Sequence, residues 1–145
     1  MMFEILLITN ILASAFMTGL IWFVQLVHYP GFELIDATNF TTFHHFHIPR
    51  TGLVVIPPML AELGSSIWLV IAYDQLWLLN AVGLSIVIGI WVSTFALQAR
   101  YHQKLQQKPN TQLVSRLVTT NWIRTVLWTT KSGFSAYILV KLLSI

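Results

Sequence analysis

Four apolar stretches, each long enough to cross a bilayer, are the feature that most constrains this sequence. A helix that spans the hydrocarbon core needs about 20 mostly apolar residues. Stretches of this kind cover residues 5–28, 50–73, 76–100 and 118–143. Only 9% of the 145 residues are charged, against roughly 25% in soluble domains. The sequence therefore predicts an all-α bundle of four transmembrane helices, forming a single integral membrane domain over residues 1–145.

The connections between these stretches differ in length. Only Asp74-Gln75 separates the second span from the third, whereas the other two connections are long and polar. Asp36 is a predicted N-cap for a helix that extends the second span, and the third span is predicted to continue to a break at Lys108-Pro109-Asn110. Asn110 or Thr111 opens the lead-in to the fourth span. Pro57-Pro58 predicts a kink inside the second span.

Positive charge predicts the orientation. Most basic residues lie beside the long connections and only Lys141 lies near the opposite side; the first group is Arg50, Arg100, Lys104, Lys108 and Arg116. By the positive-inside rule, the long connections and the helix extensions are predicted to be cytoplasmic and both termini periplasmic. The N-terminus has no basic segment, so the first apolar stretch is predicted to be a retained span rather than a cleaved signal.

Composition excludes several classes of function. With no cysteine, the chain cannot use disulfides, thiol chemistry or Cys-ligated metal centres. A net charge of +3, scattered along the chain, does not predict nucleic-acid binding. Glu62 is the only acidic residue well inside a predicted span, which is too few for a carboxylate-bridged di-iron bundle.

Each predicted helix carries one polar stripe when its residues are placed at about 100° intervals. The stripes contain Asn10, Ser14, Gln25 and His28; His44, His47, Thr51, Glu62 and Ser65; Asn80, Trp91, Thr94, Gln98 and His102; Asn121, Arg124, Trp128, Lys131 and Ser135. The simplest arrangement turns all four stripes toward a shared interior. By depth, that interior is polar toward the cytoplasm and mostly apolar toward the outside, which argues against a channel.

Ionisable residues inside a membrane are candidates for function. Glu62 and Lys131 are predicted to form either a proton-handling pair or a structural ion pair between two helices. Together with His28 and His47 they are the candidate catalytic residues. The candidate ligand-binding residues are Gln25, Arg50, Gln98, Asn121, Arg124 and Trp128.

The histidines offer a second kind of chemistry, because neutral imidazole binds zinc, copper, iron and nickel. Haem or a single transition metal is the candidate cofactor, with interfacial hydrogen bonding as the alternative role. The candidate ligands are His28, His44, His47 and His102. Arg50 and Arg124 are predicted to hold an anionic group, unless they extend to lipid phosphates.

Three segments carry a resemblance: Gln25-Leu26-Val27-His28-Tyr29-Pro30, His44 to Pro58 with Glu62, and Asn121-Trp122-Ile123-Arg124-Thr125. In these segments the chain resembles a group of small bacterial four-helix membrane proteins. More distantly it is similar to the anthrone-oxygenase-like membrane proteins, in size, span number and an Arg near the start of the last helix. The second resemblance implies oxidation of a flat aromatic substrate without a bound cofactor.

These observations predict a protein of the bacterial inner membrane with a cytoplasm-facing polar pocket. The pocket is predicted to bind a small hydrophobic or aromatic molecule, and an oxidoreductase reaction is one candidate activity. Membrane lipid is the other expected partner. The rival hypotheses are a haem- or metal-binding membrane protein that uses the same histidines, and a structural membrane subunit whose polar interior only fixes helix packing.

Overall fold

The computed structural model describes residues 2–107 and 110–143, and these ranges are almost entirely helical with no strand. The α-helices are α1 Met2–Phe23, α2 Ala37–Ala72, α3 Trp77–Ser93, α4 Ala99–Gln107 and α5 Thr111–Leu143. Two π-helical turns, Val24–His28 and Thr94–Gln98, and two 3₁₀ turns, Pro30–Leu34 and Asp74–Leu76, connect them. The predicted break at Lys108-Pro109 lies outside the described residues.

The helices form a four-membered bundle of long rods. The third rod is α3, the π-helical turn and α4 in one run, so the helix continues beyond the third span to Gln107, as predicted. α1 packs against α2 and α5, and α3 packs against the same two helices. The cyclic order is therefore α1, α2, α3, α5, with successive rods antiparallel and every rod contributing one face to a central core.

The helix starts behave differently at the two predicted caps. Asp36 precedes α2 as predicted, but only its backbone carbonyl caps the helix, accepting from the N–H groups of Asn39 and Phe40 at 2.9 and 3.0 Å. The Asn110 side chain does cap α5, because its Oδ1 accepts from the Gln112 N–H at 2.7 Å. Asn110 therefore satisfies one of the free N–H donors at a helix start.

α2 is a single helix of 36 residues that includes the segment predicted to extend the second span. It continues through Pro49 and through Pro57-Pro58, where the sequence predicts a kink. Each of these prolines lacks the N–H that a helix interior normally donates. α2 packs against α1 and α3, and tertiary contacts readily override local propensity.

The surface of the bundle is apolar, and its interior contains many polar and charged residues beside an apolar core, unlike that of a soluble protein. Leu53 and Leu78, for example, are 76% and 68% exposed. By contrast Glu62, Arg124 and Lys131 are 1%, 5% and 2% exposed. An apolar outer surface of this extent has no stable place in water, whereas lipid accommodates it.

Three rods are long and apolar enough to cross a membrane: Met2–Leu34, Ala37–Ala72 and Trp77–Gln107. The fourth rod, α5, has 33 residues and is long enough, but it is more polar than the others. Asn121, Arg124 and Lys131 face the interior and are buried, while Val126 and Val140 on its outer face are exposed. The chain is thus a helical membrane protein with three clear spans among its described residues.

Candidate functional site

Four imidazoles from three rods meet at one end of the bundle and are called here the histidine cluster: His28, His44, His47 and His102. His28 ends the first π-helical turn, His44 and His47 lie one turn apart on α2, and His102 lies on α4. His28 Nε2 is 3.0 Å from His47 Nδ1, and His44 Nε2 is 3.0 Å from His102 Nδ1. The sequence predicted that these residues share a layer, and the structure places them in contact.

Two residues that the sequence analysis treated as loop complete this cluster. Phe32 is 2% exposed, and its ring centroid lies 5.2 Å from those of His28 and His47. The Tyr29 hydroxyl lies 3.0 Å from His102 Nε2. Helical periodicity gives no sign of either residue, because the 3₁₀ turn Pro30–Leu34 folds this segment back under the bundle end.

The histidine cluster is a hydrogen-bonded set rather than an assembled metal site. Among the described residues, no group of three or more His, Asp or Glu side chains is placed to hold a metal ion. His47 Nδ1 also contacts the Thr51 hydroxyl at 2.9 Å. His44 Nδ1 is buried without a hydrogen-bond partner. Imidazoles connected in this way can accept, donate and pass protons.

Arg124 lies next to the cluster, held by a second set of polar contacts. Its Nη1 donates to Asn121 Oδ1 at 3.2 Å, and its guanidinium carbon is 5.0 Å from the centroid of the Trp128 ring. Asn121 in turn donates to Gln25 Oε1 at 2.9 Å. Gln25 donates to the carbonyl of Val118 at 3.1 Å, which ties α1 to α5. Gln25 and Asn121 are therefore positioning residues for Arg124.

The Arg124 side chain is buried but its charge is not neutralised by an acid. Its Nε has no hydrogen-bond partner, and no ion pair involving Arg124 occurs within the described chain. The acidic residue well inside the bundle, Glu62, is occupied by Ser14 and Trp128. A buried cation without an anionic partner is costly, so its presence requires an explanation.

A chamber of about 620 Å³ lies between the rods at this same end. Most of its wall is apolar, and includes Met17, Ile21, Val55, Met59, Trp91 and Phe95. Its polar lining residues include Tyr29, His47, Thr51, Gln98, His102 and Arg124. Gln98 and Arg124 both line the chamber, and each has one buried polar atom without a hydrogen-bond partner, Oε1 of Gln98 and Nε of Arg124.

Glu62 and Lys131 form a separate network deeper in the bundle. The Ser14 hydroxyl donates to Glu62 Oε1, and Lys131 Nζ lies 3.3 Å from the same hydroxyl oxygen. Ser14 therefore bridges the two charges, which do not form the direct ion pair that the sequence suggested. Trp128 Nε1 donates to Glu62 Oε2 at 3.0 Å. Neither charged residue lines the chamber.

Lys131 is fully hydrogen-bonded. Its ammonium donates to Asn10 Oδ1 at 2.6 Å and to Ser135 Oγ at 2.8 Å, besides the contact with Ser14. Beside it lies a cavity of about 20 Å³, which has room for a single water. Satisfied polar networks of this kind specify helix packing.

Some candidate residues lie away from the chamber. Arg50 is exposed, stacks on Phe46 of its own helix at 3.7 Å, and donates to the Phe46 carbonyl at 3.4 Å. It does not pair with Arg124 across the pocket, because its position on α2 points outward. His28 and His44 belong to the histidine cluster but not to the chamber lining, which His47 and His102 reach.

Both π-helical turns lie at this end of the bundle, and each positions a buried glutamine. Gln25 lies in Val24–His28, and Gln98 lies in Thr94–Gln98. A π-turn inserts one extra residue and shifts the helix face that follows it. Such turns are concentrated at functional sites. No residue pattern in the sequence predicted them.

No known protein family, curated protein or solved structure matches this chain. Its function is inferred from the chamber, from Arg124 and from the histidine cluster.

Proposed function

We propose that this protein binds a small, flat, hydrophobic molecule with an anionic substituent in the chamber between its helices. The observation that carries the proposal is Arg124. It is a buried guanidinium without an acidic partner, on the wall of a cavity of ligand size. An anionic oxygen of the ligand would supply the missing partner.

The free-energy cost of Arg124 supports this choice. An arginine inside a membrane protein normally pairs with an acid or faces water. Here Asn121, the Tyr29 hydroxyl and the Trp128 ring surround the guanidinium, but none of them supplies a carboxylate. A carboxylate or phenolate would restore the balance through charge-assisted hydrogen bonds, for which arginine geometry is well suited.

The chamber itself indicates the rest of the ligand. Its volume of about 620 Å³ lies within the range of known small-molecule sites, roughly 300–1,000 Å³. The apolar wall suits an aromatic body. Gln98 Oε1, the unpaired acceptor, suits a hydroxyl or amine group on the same molecule.

The membrane arrangement we propose has four spans, with α5 as the fourth. Its buried polar face would be shielded by the other rods and its exposed face would meet lipid. Arg50, Arg100 and Arg116 lie at the same end as the histidine cluster, so the positive-inside rule makes that end cytoplasmic. The extensions formed by early α2 and by α4 would then be cytoplasmic, the termini periplasmic, and the bacterial inner membrane the location.

The residues around the chamber suggest acid–base chemistry on such a ligand. His102 and His47 could accept a proton from a phenol or an acidic carbon, and Arg124 would stabilise the resulting anion. We propose that dioxygen then oxidises the ligand at this carbon, converting CH2 to C=O with release of water, as the sequence resemblance to anthrone-oxygenase-like proteins implies. Glu62 and Lys131 receive no catalytic role in the proposal, because they lie outside the chamber lining.

The proposal can be tested with anthracene carboxylate, a flat aromatic anion, and its neutral hydroxymethyl analogue. Binding is measured in lipid nanodiscs by energy transfer from tryptophan. We expect Arg124→Gln to weaken carboxylate binding by about thirtyfold, the equivalent of one charged hydrogen bond of about 2 kcal/mol. Binding of the neutral analogue should change little.

Arg116→Gln is the matched control, because Arg116 is an exposed arginine at the same end of the bundle. It should leave both affinities unchanged. Equal weakening of the charged and the neutral probe by Arg124→Gln would show that the guanidinium does not recognise the anion. Absence of saturable carboxylate binding to the wild-type protein would refute the proposed pocket.

A second candidate function is metal or haem binding by the histidine cluster. The two N···N separations of 3.0 Å are close to those of imidazole nitrogens that share a metal at about 2.0–2.1 Å. A third nitrogen would have to turn toward either pair. Elemental analysis and an absorption spectrum of the purified protein test this candidate, since a stoichiometric metal or a Soret band would support it.

A further inference from the structure

A second cavity lies on the lipid-facing side of the chamber wall. It is a groove of about 560 Å³ between Leu63 of α2 and one face of the third rod. Trp91 and Phe95 line the groove and also line the chamber. Two aromatic side chains therefore separate the space that faces lipid from the space that contains Arg124.

The groove has the shape and polarity of an amphiphile site. Ile88, Val92 and Ala96 lie four residues apart, so they form a row along the helix, and Arg100 continues that row. The row is about 18 Å long at 1.5 Å per residue. Its apolar part faces lipid, where Val92 is 60% exposed, and its end carries the exposed Arg100 cation.

The partition between the two cavities is made of side chains and not of backbone. The ring centroids of Trp91 and Phe95 are 5.5 Å apart, and Phe95 is 60% exposed. Phe95 also lies in the π-helical turn Thr94–Gln98. A rotamer change of one ring would join the groove to the chamber without moving a helix, and such changes are fast in exposed residues.

We propose that the ligand reaches the chamber sideways from the bilayer, through this groove and past Trp91 and Phe95. Arg100 would receive the anionic group at the membrane interface, and Arg124 would receive it in the chamber. This inference rests on the proposed function and names the class of ligand more closely. The ligand is a membrane-partitioned aromatic amphiphile with one acidic group, rather than a water-soluble metabolite.

A barrier on the entry route lowers the association and dissociation rates of the ligand but leaves its dissociation constant unchanged. A substitution on the route can therefore be distinguished from one in the binding site. Val92→Trp would fill the groove, and we expect it to lower the association and dissociation rates of anthracene carboxylate together. A fall of about tenfold in both corresponds to about 1.4 kcal/mol of added barrier. The dissociation constant should stay within a factor of about two, or 0.4 kcal/mol.

Val82→Trp is the matched control, because Val82 is an exposed valine on the same helix and does not line the groove. It makes the same substitution and adds the same fluorescence donor, and it should leave the rates unchanged. Ala96→Trp provides a second block if Val92→Trp fails to fold. Arg100→Gln should slow association, whereas Arg116→Gln should not.

The outcomes distinguish this inference from the proposed function. Suppose that the wild-type protein binds the probe, and that Val92→Trp and Ala96→Trp leave the association and dissociation rates as unchanged as Val82→Trp does. The groove then holds only bilayer lipid, and the lateral route is refuted. If a block raises the dissociation rate and weakens affinity, the route is also refuted, because the substitution then acts on the chamber. If the wild type binds no probe, the proposed function itself fails.

Discussion

Removing the charges of Glu62 and Lys131 one at a time and then together tests what their network does. The two buried charged groups are not in direct contact, but both are hydrogen-bonded to the Ser14 hydroxyl. Each is also held by neutral groups, Glu62 by Trp128 and Lys131 by Asn10. The variants are Glu62→Leu, Lys131→Met and the double variant, which keep side-chain volume roughly constant.

The expected magnitudes follow from the contacts. Lys131→Met removes three hydrogen bonds, worth together about 2 kcal/mol at the average measured inside membrane proteins. It also leaves Glu62 buried without a nearby cation, and loss of one partner from a buried pair costs about 3–5 kcal/mol in total. The double variant leaves no isolated charge. We therefore expect it to be destabilised by about 1–2 kcal/mol, less than either single variant.

Stability is measured by equilibrium unfolding of the protein in mixed micelles, followed by helical circular dichroism. Lys104→Met is the control, because Lys104 is exposed and its loss should change stability by less than about 0.5 kcal/mol. The double variant should also bind anthracene carboxylate with wild-type affinity. Strictly additive single effects would refute the coupling through Ser14, and loss of probe binding by a folded double variant would refute a purely structural network.

Two further predictions concern local structure. Asn110→Ala should destabilise the protein by about 1 kcal/mol, because the Asn110 side chain caps α5. Asp36→Ala should have little effect, because only the Asp36 backbone caps α2. Equal losses of stability in thermal unfolding would contradict this difference. Phe32→Ala should lower the free energy of unfolding by about 3–5 kcal/mol, because it removes the ring at the centre of the histidine cluster. The backbone of α2 near His44 should then exchange its amide hydrogens faster. A loss below about 1 kcal/mol would show that the aromatic packing contributes little.

The helices themselves were largely predictable. Their approximate positions follow from the apolar stretches and from the breaks at Pro30, Asp74 and Asn110, because a chain in lipid must satisfy its backbone hydrogen bonds internally. The long α2 was predicted from the polar stripe before Thr51. α5 was predicted as a span like the others, but its buried charges make it less apolar than the three clear spans.

The candidate site was predictable in part. The stripes brought together His47, His102 and Arg124, all of which line the chamber. Arg50 was grouped with them because it lies at the same depth along the bundle, but its side chain faces outward. Neighbouring residues of a helix point in directions about 100° apart, so depth alone does not fix which way a side chain faces. Tyr29 and Phe32 were missed because Tyr29 precedes the 3₁₀ turn Pro30–Leu34 and Phe32 lies within it, where the α-helical period does not apply.

The sequence by itself determined that this chain is a helical membrane protein with polar residues in its interior. Mean hydropathy and helical periodicity are averaged over many residues, so a few atypical residues do not change either result. Only the tertiary structure decided where that interior opens into a chamber and which charge is left without a partner. Those properties depend on the π-helical turns Val24–His28 and Thr94–Gln98 and on contacts between rods far apart in sequence. Such contacts are set by packing, in which a single inserted residue re-aims every side chain that follows it.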